Sequence, residues 1–186
     1  FPFDTTAAEQ LEERLRARNA QLQAQLIARI PQIPDKIFIP KRDNKTLGYK
    51  KGQPIQRYKD FNPNSRQQIE YVLRTLHGYA PSDPDLYERS DETQDLKDCR
   101  LKIDDETFRF IAHDETAPEE VKTLAALLEE SLLIGKRLGQ LIDGTHGWLK
   151  KVQKDGRIHG RVITNGTVSG RAAHAAPNVA QVPAVT

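Results

Sequence analysis

Residues Glu119 to Leu141 read EEVKTLAALLEESLLIGKRLGQL, and this run sets the fold class. Pro118 suits the first turn of a helix, and Glu119 and Glu120 suit the positive end of its dipole. Val121, Leu124, Leu128, Leu132, Gly135, Leu138, Gly139 and Ile142 then share one face or its flank. Gly144 marks the end. Lys136 and Arg137 stand near the C-terminus, where compensation of the dipole accounts for two cations as well as a partner would.

A second run of the same kind opens the chain. Thr6 and Glu9 have the spacing of a capping box. Leu11, Leu15, Leu22 and Leu26 recur at helical spacing, so one long helix is expected from about Thr6 to Arg29. A shorter helix follows in FNPNSRQQIEYVLRTLHG, Phe61 to Gly78. Ser65 and Gln68 have capping-box spacing, Ile69, Val72, Leu73 and Leu76 share one face, and Gly78 supplies the stop. IDDETFRFIAHD predicts another, beginning at Asp104 or Asp105. Those two aspartates have no supporting metal motif and read as helix-start residues. Residues 79–102 are polar and irregular, a loop with at most a short strand.

Prolines 31, 34, 40 and 54 exclude a continuous helix over residues 31–60. DKIFIPKRDNKTLGYKK reads instead as a hairpin with Asp43-Asn44 at its turn. From Lys36 to Lys59 the cations are Lys36, Lys41, Arg42, Lys45, Lys50, Lys51, Arg57 and Lys59, and the only anion is Asp43. A solvated loop carries such charge, and so does a phosphate-binding one. Tyr49 and Tyr58 interleave the cations, as they do in nucleic-acid sites.

At the other end, RIHGRVIT alternates as a strand does, Asn165-Gly166 is a hairpin turn, and TVSGRA is the expected return strand. The fold class is therefore α+β. Two long antiparallel helices carry a basic tip hairpin, and a small antiparallel sheet spans residues 157–173.

Composition bounds the rest. The chain has 186 residues, 37% hydrophobic and 29% charged, enough for one domain or two small ones with a modest core. Its net charge of +2 points to no partner, so charge arguments are local. Cys99 is the single cysteine, which excludes an internal disulfide, fits a reducing compartment and reads as a plain buried thiol. No apolar run is long enough for a transmembrane helix, and no signal peptide is visible. A chain without methionine is expected to be a piece of a longer protein.

The closing stretch TVSGRAAHAAPNVAQVP, Thr167 to Pro183, is small-residue backbone carrying Arg171, His174, Asn178 and Gln181. Such a backbone can lie close against a flat partner. Donors beyond it suit the DNA minor groove, where every base pair presents acceptors. A surface loop whose amides cap backbone groups has the same composition.

Thr167, Ser169-Gly170-Arg171, Pro177-Asn178 and Val182-Pro183 resemble the T-x-[ST]-G-R…P-N-x-x-x-[IV]-P signature of family A DNA polymerases, in the phage-type form with R-A-x-H and A-Q. FPFD resembles the entry after the proofreading exonuclease domain, and FNPNSRQQIEYVL a thumb segment. LLEESLLIGKRLGQL followed by DGRIHGRV resembles the second thumb helix and the strand leading to the palm. The resemblance covers most of the chain; residues 31–59 match least.

The resemblance implies a thumb-like region over residues 1–150, with a basic tip insertion at 31–60, and the start of a palm over 151–186. It implies that Arg171 contacts the minor groove near the primer terminus, with His174 beside it. Asn178 and Gln181 lie by template and primer, and Lys136 and Arg137 grip the duplex. Ala180 departs from the cellular pattern, so no contact carries over there. Lys41, Arg42, Lys45, Lys50 and Lys51 complete the expected DNA-contact set. The implied partners are primer-template duplex and the remainder of the polymerase chain, with no membrane, in the cytoplasm of a bacterial host.

Some phage relatives carry a long thumb insertion that recruits a host thioredoxin. The short basic hairpin stands in its place, so thioredoxin is not expected. The family's metal-binding aspartates belong to palm motifs absent from this sequence. No catalytic or metal-binding residue is assigned, Mg²⁺ is expected only for the parent enzyme, and the isolated chain is expected not to polymerise. A non-catalytic DNA-binding module from a split or decayed prophage polymerase is the alternative. A helical protein-interaction domain would leave the hairpin and the closing signature unexplained.

Overall fold

Asp4 begins the first helix. Its carboxylate accepts from the Ala7 N–H at 2.9 Å, and its carbonyl accepts from the Ala8 N–H. Helix α1 therefore runs Thr5–Arg29, with Asp4 as the cap in place of the expected Thr6. A carboxylate is the stronger acceptor at the positive helix end. The computed structural model of the chain describes residues 2–30, 32–89, 91 and 94–178. Packing divides it into two units, residues 21–132 and residues 1–20 with 133–186.

In the unit of residues 21–132, strands β1 (Gln32–Phe38) and β2 (Ile55–Asp60) pair antiparallel. The register is Gln32↔Asp60, Pro34↔Tyr58 and Phe38↔Ile55, with a bulge between Pro34 and Ile37. The hairpin is longer than expected, and its turn is not at Asp43-Asn44. A bridge between Asn44 and Tyr49 closes residues 45–48, where Gly48 supplies the positive φ of 69°. Asp43 and Asn44 pin the tip instead, accepting from the N–H groups of Lys51 (2.6 Å) and Leu47 (3.1 Å).

Helix α2 (Arg66–Tyr71) has Ser65 at its cap position, but the hydroxyl makes no capping bond. The Gln68 side chain reaches past Ser65 to accept from the Asn62 N–H at 2.8 Å, so the capping box does not form. The helix then widens into a π-turn over Val72–Leu76, with the His77 N–H donating to the Val72 carbonyl. Widening rotates later residues off the original face. Ile69, Val72 and Leu73 are buried while Leu76 is 48% exposed. Gly78, at φ +62°, provides the stop.

The polar segment 79–102 does more than link helices. It forms a two-stranded sheet from β3 (Tyr87–Glu88) and β4 (Arg100–Leu101), and buries Tyr79, Leu86, Tyr87, Cys99 and Leu101. Arg74 holds it in place. The guanidinium donates to the carbonyls of Leu96, Lys97 and Cys99 and pairs with Glu70 at 3.0 Å. Glu70 also accepts from the Leu101 N–H. Cys99 is a buried free thiol, as expected.

Helix α3 (Asp105–His113) begins as read, with the Asp104 carboxylate accepting from the Thr107 N–H at 3.0 Å. Phe108 and Ile111 of α3 join Leu26, Ile30, Val121, Leu124 and Leu128 in one cluster. The last three belong to helix α4 (Glu119–Leu138).

In the other unit, α4 ends in a π-turn, Gly139–Asp143. Gly144 has φ −66°, so its role is close approach, not a left-handed stop: a Cβ there would lie 2.6 Å from the Gly139 carbonyl oxygen. Ile134 and Leu138 of α4 and Leu141 of the π-turn are buried here, and Gly135 is exposed. The Phe3 N–H bonds the Gly156 carbonyl, and its ring packs edge-on against Trp148. Arg16 bridges Glu12 and Asp143.

Strands β5 (Arg161–Ile163) and β6 (Ala173–Ala175) form the third antiparallel pair, completing an α+β fold. The return strand is therefore not Thr167–Ala172 as expected. Asn165 has the positive φ of a hairpin residue, yet Ile163 pairs with Ala173 and the chain makes an ordered detour between them.

Candidate nucleic-acid interface

The detour is a turn built on one hydroxyl. Thr167 Oγ1 accepts from the Arg171 N–H at 2.9 Å and donates to the Arg171 carbonyl at 3.1 Å. The Gly170 N–H closes onto the Thr167 carbonyl, and Gly170 has φ +74°. A left-handed residue at that place admits glycine at no steric cost. Gly166 is needed for space, since a Cβ would meet that of Ala173 at 2.7 Å. The Thr-x-Ser-Gly-Arg spacing thus fixes the backbone on both sides of Arg171 while its side chain stays exposed.

His174 follows on β6, half-buried and opposite Val162. Pro177 is buried and Asn178 exposed. Gln181 lies outside the described residues, as do Val182 and Pro183. Lys136 and Arg137 are exposed in the last turn of α4, in the same packing unit as Arg171.

The second set of cations belongs to the other unit. Lys41, Arg42, Lys45, Lys50 and Lys51 are all exposed at the β1–β2 tip, and none has an ion-pair partner among the described residues. The remaining cations of the hairpin are partly engaged. Arg57 lies 4.0 Å over the Phe38 ring, and Lys59 pairs with Asp35 at 3.0 Å. The Lys59 hydrogen bond is the largest influence holding the Asp35 carboxyl below its ordinary pKa. Tyr49 packs edge-on against Phe38 at 5.7 Å, so one interleaved tyrosine builds the tip. Tyr58 is 60% exposed.

Chemically, the hairpin tip offers cations without an ion-pair partner among the described residues, which suits phosphates. The Thr167 turn of the other unit presents one exposed guanidinium. No group of three or more His, Cys, Asp or Glu side chains among the described residues could hold a metal ion. No described helix is long and apolar enough to cross a membrane. The sequence reading named Thr167 only within the signature and Asp43-Asn44 only as a turn; the structure makes Thr167 the builder of its turn and Asp43 and Asn44 the pins of the tip. The fixed spacing of Thr167, Gly170 and Arg171 was the available signal for the first.

No family model matches the chain. The DNA-directed DNA polymerase of Enterobacteria phage T3 is 32% identical over 228 aligned positions. That of Escherichia phage T7 is 31% identical over 228. Each alignment covers 100% of this chain, which spans about 30% of the length of either relative.

Proposed function

We propose that the chain is the part of a phage-type family A DNA polymerase that grips primer-template duplex during template-directed synthesis, a reading supported by its similarity to the two phage DNA polymerases. On this reading the long helices and basic hairpin make up a thumb, and the β5–β6 hairpin is the edge of a palm. Arg171 is the minor-groove probe near the primer terminus, with His174, Asn178 and Gln181 beside it. Lys136, Arg137 and the tip cations Lys41, Arg42, Lys45, Lys50 and Lys51 hold phosphates.

The observation that carries the reading is the Thr167 turn. It spends its hydrogen bonds on the Arg171 backbone and leaves the guanidinium exposed. A donor held by a rigid backbone meets minor-groove acceptors at low entropic cost, and accepts any correct pair because both pair types present acceptors there. The basic tip supplies the sequence-independent part of the affinity.

The parent enzyme adds deoxynucleotides to a primer 3′ end in this proposal, using Mg²⁺ held by carboxylates. The described residues contain no group of three or more His, Cys, Asp or Glu side chains that could hold that Mg²⁺. The alignments run to 228 positions against 186 residues here, so the relatives carry residues without a counterpart in this chain. We extend the proposal to thioredoxin, which the chain is expected not to bind; a stoichiometric complex in a pull-down overturns that part.

The test is duplex binding by the 186-residue chain. Arg171→Ala removes a charge-assisted hydrogen bond worth roughly 1.5–3 kcal/mol when desolvated, and weakens binding accordingly. Duplex binding untouched by this change removes the minor-groove role.

A further inference from the structure

We propose that the outer face of the β1–β2 hairpin is a stacking site for an unpaired base of single-stranded DNA, whose phosphates run to the basic tip. The proposal rests on the nucleic-acid reading above and adds a second class of strand to it. Cross-strand partners share a face, and neighbours along a strand alternate. One face carries Ile33, Phe38, Arg57 and Lys59, with its charges and rings paired. The other carries Pro34, Ile37, Gln56 and Tyr58, and is exposed.

At the base of that second face, Ile27, Gln32, Tyr58 and Asp60 line an open depression of about 550 Å³. Ile27 is 41% exposed and Tyr58 60%. The Tyr58 side chain makes no hydrogen bond or ring contact among the described residues. The depression holds a carboxylate and no cation, so it repels phosphate. It suits an uncharged flat group that can lie on a tyrosine ring and hydrogen-bond at its edge, with Gln32 and Asp60 placed for that edge. The unpaired cations of the same hairpin lie at its tip and complement the backbone of such a strand. A charged track beside an exposed aromatic platform is how single strands are held without reading sequence. Duplex DNA has no base free to enter.

The experiment measures binding of the 186-residue chain to three fluorescein-labelled probes of equal length: oligothymidylate, an abasic oligonucleotide and a duplex. Tyr58→Ala is expected to weaken oligothymidylate binding by about 5- to 150-fold, the effect of losing one stacked base. Duplex and abasic binding stay unchanged, and Tyr58→Phe keeps the affinity. Crosslinking of 5-iodouracil oligonucleotide to the unaltered chain, mapped by mass spectrometry, tests the same stacking without substitution and is expected at Tyr58. Equal loss for all three probes, unchanged oligothymidylate binding, or crosslinks only at the tip would overturn the stacking site. Salt-dependent duplex binding without oligothymidylate binding removes this proposal alone. If none of the probes binds, the nucleic-acid reading falls with it.

Discussion

The Thr167 hydroxyl bonds both backbone groups of Arg171, accepting from the N–H at 2.9 Å and donating to the carbonyl at 3.1 Å. The residue proposed to touch DNA is thus positioned by a neighbour four places earlier that need not touch DNA at all. Thr167→Val removes both bonds while keeping the shape, at a cost of about 1 kcal/mol for each bond. Amide exchange at Arg171 is expected to accelerate, and duplex binding to weaken as it does in Arg171→Ala. Thr167→Ser keeps the hydroxyl and both properties. Unchanged exchange at Arg171 in the valine variant would show that the turn is held by other means.

The tip cations act through charge and not through shape. Replacing Lys50 and Lys51 together with glutamine is expected to flatten the dependence of duplex affinity on salt, by a slope of about 0.9 for each phosphate no longer neutralised. The fold is expected to be unaffected, because the Asp43 bond to Lys51 uses the backbone N–H. An unchanged slope returns the tip to an ordinary solvated loop.

Tyr79 and Asp114 give the fold a signature at both ends of the pH scale. The hydroxyl donates to the carboxylate at 2.6 Å. Burial and then this bond raise the tyrosine, and the bond is the largest influence lowering Asp114. A depressed carboxyl contributes stability that is present above its unfolded pKa and lost as pH falls through its folded one, hence below about pH 4. A raised tyrosine contributes stability that is present below its unfolded pKa and lost as pH rises beyond about 10. In Tyr79→Phe the urea midpoint falls at neutral pH, and the alkaline loss is expected to shrink. Parallel curves for the two proteins above pH 10 would show that Tyr79 does not control that limb.

Arg74 is the tie between α2 and the irregular segment that follows β3. Arg74→Met retains the apolar stem but removes the guanidinium from three carbonyls and from Glu70, which keeps only its bond from the Leu101 N–H. Partly buried bonds to a charged group make this costly, roughly 2–3 kcal/mol in urea unfolding. A loss below about 0.5 kcal/mol, the range of ordinary surface changes, would mean that water replaces the guanidinium.

Local patterns in the sequence determined the helices, because each is written in contiguous residues. The periodicity of Val121, Leu124 and Leu128, the Asp104 cap and the Gly78 stop all depend on neighbours within a turn or two. The signature from Thr167 onward determined the family resemblance in the same way, and the cations of residues 36–59 could be counted directly. Only the tertiary structure decided what depends on distant partners. It moved the hairpin turn from Asp43-Asn44 to residues 45–48, because β1 pairs with a strand as far on as Ile55. It turned Leu76 outward through a π-turn that no residue spacing announces. It drew core residues from a polar stretch through the long-range bonds of Arg74 and Glu70. It also separated Tyr49, which packs inside the tip, from Tyr58, which stands open: burial is set by what lies across the sheet, and that is not encoded at either tyrosine.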